Sequence, residues 1–348
     1  MPGDDPASEA ERLLGDFRRY DACVDIVSAV EVWFTKAEGM RETVARFERY
    51  PKIEHSDGEK VTPDFSVLFN DETAYVGELC NLALEPASLD SLCHQIGRYD
   101  SLDRVPSPGG ASAQVKAVDV LVFVPQGEAN AAVARLAEAR RDPEHPYSPD
   151  RFPTVFGWSF ERERNRYIFS LARGDENQRP RGHGRKPSLE EWMASTTSPD
   201  TLTGQPAHFG PIKVGRRFMN DPTPPLYMAT LLWGVVFPAI SGGEGDISTS
   251  AAEIARDLRN DYGRGRADEV EGALHLLQAG GLAQREGPDG WAIAHQPINR
   301  HEEDLAETLI DRFKSRPSGP VTFAAKKQAR AARLEREANK ARQAGLDE

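Results

Sequence analysis

Two carboxylates in this chain stand where a divalent cation could be held. Asp64 follows Pro63 at the head of the run TPDFSVLF, and Glu78 lies near the end of the next apolar run, TAYVGELC. Asn70 to Thr73 separates the runs as a turn. Two strands joined there form a hairpin that brings the two side chains together. Such a pair offers the hard oxygen ligands that Mg²⁺ or Mn²⁺ takes, and the Leu79 carbonyl is a candidate third ligand. A cation so held acidifies water and neutralises charge on a phosphate. Read without function, Pro-Asp at a strand start is also ordinary turn chemistry.

The elements that must position these residues follow from periodicity. Residues 1–10 read as disordered. A helical pattern runs from Glu11 to Tyr50, through Leu13, Phe17, Val27, Val30, Phe34, Met40, Val44 and Phe47. Strands are expected at 61–69 and 73–82. A helix follows from Pro86 with Ser88 as its cap, carrying Leu89, Leu92, Ile96 and Tyr99 inward. Val115 to Pro125 reads as a buried strand and Gly127 to Arg141 as an amphipathic helix. Thr154–Glu161 and Arg166–Leu171 make a second hairpin. Helices alternating with apolar strands predict an α/β layer with a mixed sheet. Asp119, between Val118 and Val120, reads as a strand residue. Residues 173–222 lack periodicity and read as a linker or irregular insertion.

A second unit is expected over 223–298. Pro225 to Ile240 is an apolar helix, and Ser248 or Thr249 caps a second. Arg266 to Gln278 is a third, and Leu282 to Ala294 forms a small hairpin. Three helices and a hairpin resemble a winged-helix domain. Arg256, Arg259, Arg264 and Arg266 are its candidate nucleic-acid contacts. The third helix also carries Asp268, Glu269 and Glu271, which disfavour base readout and leave backbone contact or a protein partner. Residues 299–348 read as one more helix and a basic Ala-rich tail, where Lys326 and Lys327 are further candidate contacts. The first domain is then expected over 1–172.

The order around the two carboxylates resembles the PD-(D/E)XK nuclease superfamily over about residues 25–125. Pro63-Asp64, Glu78, Gln95 and Tyr99 carry the resemblance, because RecB-type members place a Gln-x-x-x-Tyr on the helix after the hairpin. The resemblance implies a restriction-endonuclease-like sheet with flanking helices and a Mg²⁺-dependent nuclease acting on DNA, in phage defence or DNA processing. Asp64 and Glu78 would hold the metal, with Glu42, Glu38 or Glu31 as an upstream acid. Gln95 and Tyr99 would complete the site. The lysine such enzymes carry two residues after the Glu is here Cys80. Three readings follow: Arg98, His94 or Lys116 supplies the charge, the site works without it, or the fold is a catalytically inactive adaptor that binds nucleic acid or partner proteins.

Composition bounds these readings. The chain has 348 residues, 39% hydrophobic and 28% charged, with a net charge of −12. That balance argues against an all-over cationic surface, although Arg162 to Lys186 and the tail are locally basic. No run approaches the ~20 apolar residues of a membrane span. The acidic N-terminus is not a secretory signal, so a cytoplasmic location is expected. Cys23, Cys80 and Cys93 have no metal-ligand spacing and read as reduced thiols. His183, in a Gly- and Arg-rich stretch, reads as a solvated loop residue.

Overall fold

The computed structural model describes residues 6–36, 40–55, 58–80, 86–161, 166–177, 180, 201–204, 218–219, 221–242, 245–295 and 302–315. His183, Lys326 and Lys327 lie outside them. The chain divides into two units, residues 21–221 and residues 1–20 with 222–348. No described helix is long and apolar enough to cross a membrane.

The chain opens with α1 (Pro6–Lys36), β1 (Val44–Arg49), the short pair β2 (Ile53–Glu54) and β3 (Lys60–Val61), then β4 (Phe65–Phe69) and β5 (Thr73–Leu79). Next come α2 (Pro86–Asp100), the pair β6 (Arg104–Pro106) and β7 (Ser112–Gln114), β8 (Ala117–Pro125) and α3 (Ala129–Arg141). The unit closes with β9 (Thr154–Glu161), β10 (Arg166–Leu171) and β11 (Thr201–Gly204). A seven-stranded sheet runs in the order β1-β4-β5-β8-β9-β10-β11. The pairs β5–β8 and β8–β9 are parallel and the others antiparallel. This is a mixed sheet flanked by helices, as the alternation of elements predicts.

Period-two alternation splits the sheet into two packed faces. Phe65, Phe69, Tyr75, Phe123 and Phe169 are buried on one face. There Phe34 of α1 meets Phe69 and Tyr75 edge-on, and Trp33 meets Phe169. On the other face Val76, Val118, Val120, Val122 and Val124 share a core with Leu92 and Ile96 of α2 and Val133 and Leu136 of α3. Asp64 and Glu78 fall on this second face by parity.

Two strands of the large sheet differ from the sequence expectation. The helical pattern stops at Lys36, and Val44–Arg49 is an edge strand paired with Arg49 opposite Phe65. The apolar positions 40, 44 and 47 have helical spacing, and a register shift between Val44 and Arg46 is what brings Val44 and Phe47 to one strand face, where Phe47 stacks on Phe65 at 5.6 Å. In the stretch read as a linker, Thr201–Gly204 extends the sheet beyond β10. Four residues are too few to show a period.

The second unit contains α4 (Pro225–Leu231), a π turn at Leu232–Val236, α5 (Phe237–Ser241), β12 (Gly245–Ser250), α6 (Ala251–Tyr262) and α7 (Ala267–Ala279). It continues with β13 (Ala283–Glu286), β14 (Gly290–His295) and α8 (Glu302–Lys314). Its three-stranded sheet is ordered β12-β14-β13. A π turn leaves carbonyls out of the regular ladder, and His295 Nε2–H donates to the Trp233 carbonyl at 3.2 Å. Ser250, not Ser248 or Thr249, caps α6, in a capping box with Glu253. Ser248 and Thr249 belong to β12.

The expected boundaries 1–172 and 299–348 are also corrected. Residues 1–20 belong to the second unit. Phe17 and Tyr20 lie 5.8 and 4.6 Å from the Tyr227 ring. Leu305, Leu309, Ile310 and Phe313 of α8 are buried, so α8 is part of that core rather than of a free tail. An apolar helix face does not say which core it serves.

Candidate functional site

Asp64 is fixed by backbone at three points. Its N–H donates to the Gly77 carbonyl at 3.0 Å and its carbonyl accepts from Tyr50 N–H at 2.9 Å. Its Oδ2 accepts from Leu79 N–H at 2.7 Å. Tyr50 sits at φ 49°, in the left-handed region, where β1 ends. Across the hairpin Phe65 pairs with Gly77. A Cβ at Gly77 would lie 1.9 Å from the Phe65 ring, so glycine is what lets that ring lie over β5 on the face opposite the two carboxylates.

Glu78 is held by side chains. Gln95 Nε2 donates to its Oε1 at 2.7 Å and Tyr99 O–H to its Oε2 at 2.9 Å. Gln95 Nε2 also reaches Tyr99 Oη at 2.9 Å. Gln95 and Tyr99 stand one turn apart on α2, so both meet the same carboxylate. The four residues singled out by spacing are therefore brought together.

The electrostatics of the pair are set by burial. Asp64 and Glu78 are 7% and 9% exposed. Desolvation pushes the Asp64 carboxyl up to about 7, against the Leu79 N–H that pulls it down, and the charge of Asp221 raises it further. Desolvation also raises Glu78 well above the usual range, followed by the charge of Asp64; Tyr99, Gln95 and Asp221 act less, the two hydrogen bonds downward. No cation among the described residues is a cause of either shift. Such a pair takes up either protons or a cation. Asp221 carried no sequence signal, since it lies far along the chain in an aperiodic stretch. No group of three or more His, Cys, Asp or Glu suited to a metal occurs among the described residues.

Other candidates are placed elsewhere. Cys80 is buried in the core with Leu92, Cys93 and Ile96, so no cation occupies the position of the motif lysine. Lys116 pairs with Glu72 at 2.7 Å, beside the Thr73–Ala117 end of the strands. That is roughly 20 Å from Glu78 at ~3.3 Å per residue. Glu42 is not on a helix; it is exposed, paired with Arg41 at 2.8 Å. It precedes Val44, which pairs with Phe69, the opposite end of β4 from Asp64. Glu31 is bound to Arg49 at 2.7 Å, and Glu38 lies outside the described residues. Asp119 is buried and paired with Arg151 at 3.2 Å. Arg98 is not on the carboxylates: it bonds Glu59 at 2.9 Å and the Lys60 carbonyl at 3.1 Å. It lines a cavity of about 570 Å³ with Lys60, Ser91, His94, Gln95 and Tyr99.

The four candidate arginines of the second unit have internal partners. Arg256 lies 3.6 Å from Asp257, and Arg259 donates to the Gly265 carbonyl at 2.7 Å. Arg264 holds buried Glu269 at 3.2 Å, and Arg266 holds Asp268 at 2.6 Å. Arg264 is committed to a buried carboxylate, whereas the exposed pairs of Arg256 and Arg266 are screened by solvent and weak.

Comparison with protein-family models, with curated proteins and with solved structures finds no match for this chain.

Proposed function

We propose that the chain is a metal-dependent nuclease of the PD-(D/E)XK type acting on DNA. The observation that carries this reading is the buried Asp64–Glu78 pair, whose charges no described cation answers. It sits on a helix, three antiparallel strands, a helix and a parallel strand, the order expected of that superfamily. The oxygen donors fit Mg²⁺ or Mn²⁺, with Asp64, Glu78 and the Leu79 carbonyl holding the ion. When bound, the ion acidifies water and neutralises phosphate charge. Leu79 N–H orients Asp64, while Gln95 and Tyr99 orient Glu78 with one donor on each of its oxygens and leave lone pairs on both for the ion. The second unit has the element order of a winged helix, and its internally paired arginines suit contact with a protein better than base readout.

The burial of Cys80 favours a second reading, an inactive nuclease-like adaptor that binds nucleic acid or partner proteins. The test incubates plasmid and single-stranded DNA with wild type, Asp64→Asn and Glu78→Gln in Mg²⁺, Mn²⁺ and EDTA. Cleavage that needs metal and is lost in both variants supports the nuclease. Wild type that cleaves nothing, or cleavage untouched by Asp64→Asn, leaves the adaptor.

A further inference from the structure

We propose that the cavity beside Gln95 and Tyr99 is a phosphate-binding subsite for the DNA strand, formed by Lys60, His94 and Arg98; this rests on the nuclease reading of the neighbouring carboxylates. Helical spacing builds one wall. Ser91, His94 and Arg98 follow one another at three and four residues and line the cavity, while Leu92 and Ile96 turn into the core. Lys60 enters from β3 on the opposite side. A volume of about 570 Å³ lies within the ~300–1,000 Å³ of small-ligand sites.

The donors lining this cavity are available. Lys60 and His94 are exposed, and neither has a side-chain hydrogen bond or ion pair among the described residues. Arg98 is held by Glu59, whose side chain is 62% exposed. Such a solvent-screened pair is weak, whereas a phosphate offers the guanidinium two oxygens at once. Asp90 is the acid on the cavity lining, and it lies 3.6 Å from His145. Gln95 and Tyr99 belong both to the cavity and to the hydrogen bonds on Glu78. Cavity and carboxylates thus share a wall, and a strand with one phosphate on Lys60, His94 and Arg98 passes beside Asp64 and Glu78. The subsite provides substrate-facing positive charge that the Cys80 position does not.

The experiment measures binding of a fluorescein-labelled oligothymidylate by anisotropy, in EDTA, across a NaCl series. It compares wild type, His94→Gln/Arg98→Gln, and a charge control, Arg135→Gln, an exposed residue of α3 outside the cavity lining. Circular dichroism checks that the variants fold. The double variant should bind about tenfold more weakly, with a salt slope smaller by roughly 0.7 for each phosphate it no longer neutralises. The control should match wild type, and inorganic phosphate should compete with the oligonucleotide on wild type more strongly than on the double variant. No binding by wild type, or equal losses in the double variant and the control, overturns the subsite. Because no metal is present, failure of wild type to cleave DNA in Mn²⁺ removes the nuclease reading and leaves a positive binding result standing.

Discussion

Burying Asp64 has a consequence for folding that does not depend on any substrate. Its carboxyl is raised from an ordinary 3.8 to about 7. Between those values the folded chain keeps a proton that the unfolded chain has lost. Folding stability therefore falls as pH rises through this window, and the loss is complete above it. Asp64→Asn removes the titrating group and keeps an oxygen for Leu79 N–H. Thermal melts in EDTA should show the variant more stable than wild type at about pH 8 and nearly equal to it at about pH 4. Equal melting temperatures at both pH values would show that the charge is not desolvated. Mn²⁺ gives the complementary result. A cation that binds only the folded state raises its apparent stability, so added Mn²⁺ should raise the wild-type melting temperature at about pH 8 and do so much less in Asp64→Asn. An equal rise in both proteins would place the ion elsewhere.

At the level of elements, the site depends on one close approach between β4 and β5. Gly77 has no side chain where the Phe65 ring crosses it, and a Cβ would come within 1.9 Å of that ring. Gly77→Ala must displace Phe65, the residue after Asp64, from a core where it stacks on Phe47. Overpacking of this kind costs about 1–3 kcal/mol, to be read as a lower urea midpoint. Phe65→Leu in the same chain should recover part of the loss, whereas Gly77→Ala with wild-type stability would mean that the ring has an alternative position. Such elements also decide what the sequence discloses. Glu78, Gln95 and Tyr99 are legible because each lies on a regular element whose period fixes its direction, and Asp64 because it immediately precedes β4. Glu42 is misread because Met40, Val44 and Phe47 have helical spacing that a register shift between Val44 and Arg46 accommodates in a strand, and the strand moves it to the far end of β4. Asp221 is invisible because only tertiary folding brings its charge to bear on the pair. The arginines between α6 and α7 look available in sequence, yet Glu269 and Asp268 take up Arg264 and Arg266 through turn geometry that no pattern states.

For the whole molecule, the division at Tyr20 matters more than the linker that the composition suggests. The second unit is discontinuous in sequence, with residues 1–20 joined to 222–348. Leu13, Phe17 and Tyr20 are nearly fully buried, and Tyr20 meets Thr223 as well as the Tyr227 ring. The first turns of α1 are thus core material for a domain that begins again two hundred residues later. Truncating Phe17 tests this arrangement. A buried Phe→Ala costs about 3–5 kcal/mol, and that loss should fall on the unit containing Tyr227. Native-state hydrogen exchange should show faster exchange in α4, α6 and α7, with the amides of β5 and β8 changed much less. Loss of protection concentrated in β5 and β8 instead would assign the start of α1 to the sheet domain. With the exchange pattern on the Tyr227 side, the N-terminal segment is required for the second unit, and removing it would disturb that unit before it disturbed the Asp64–Glu78 pair.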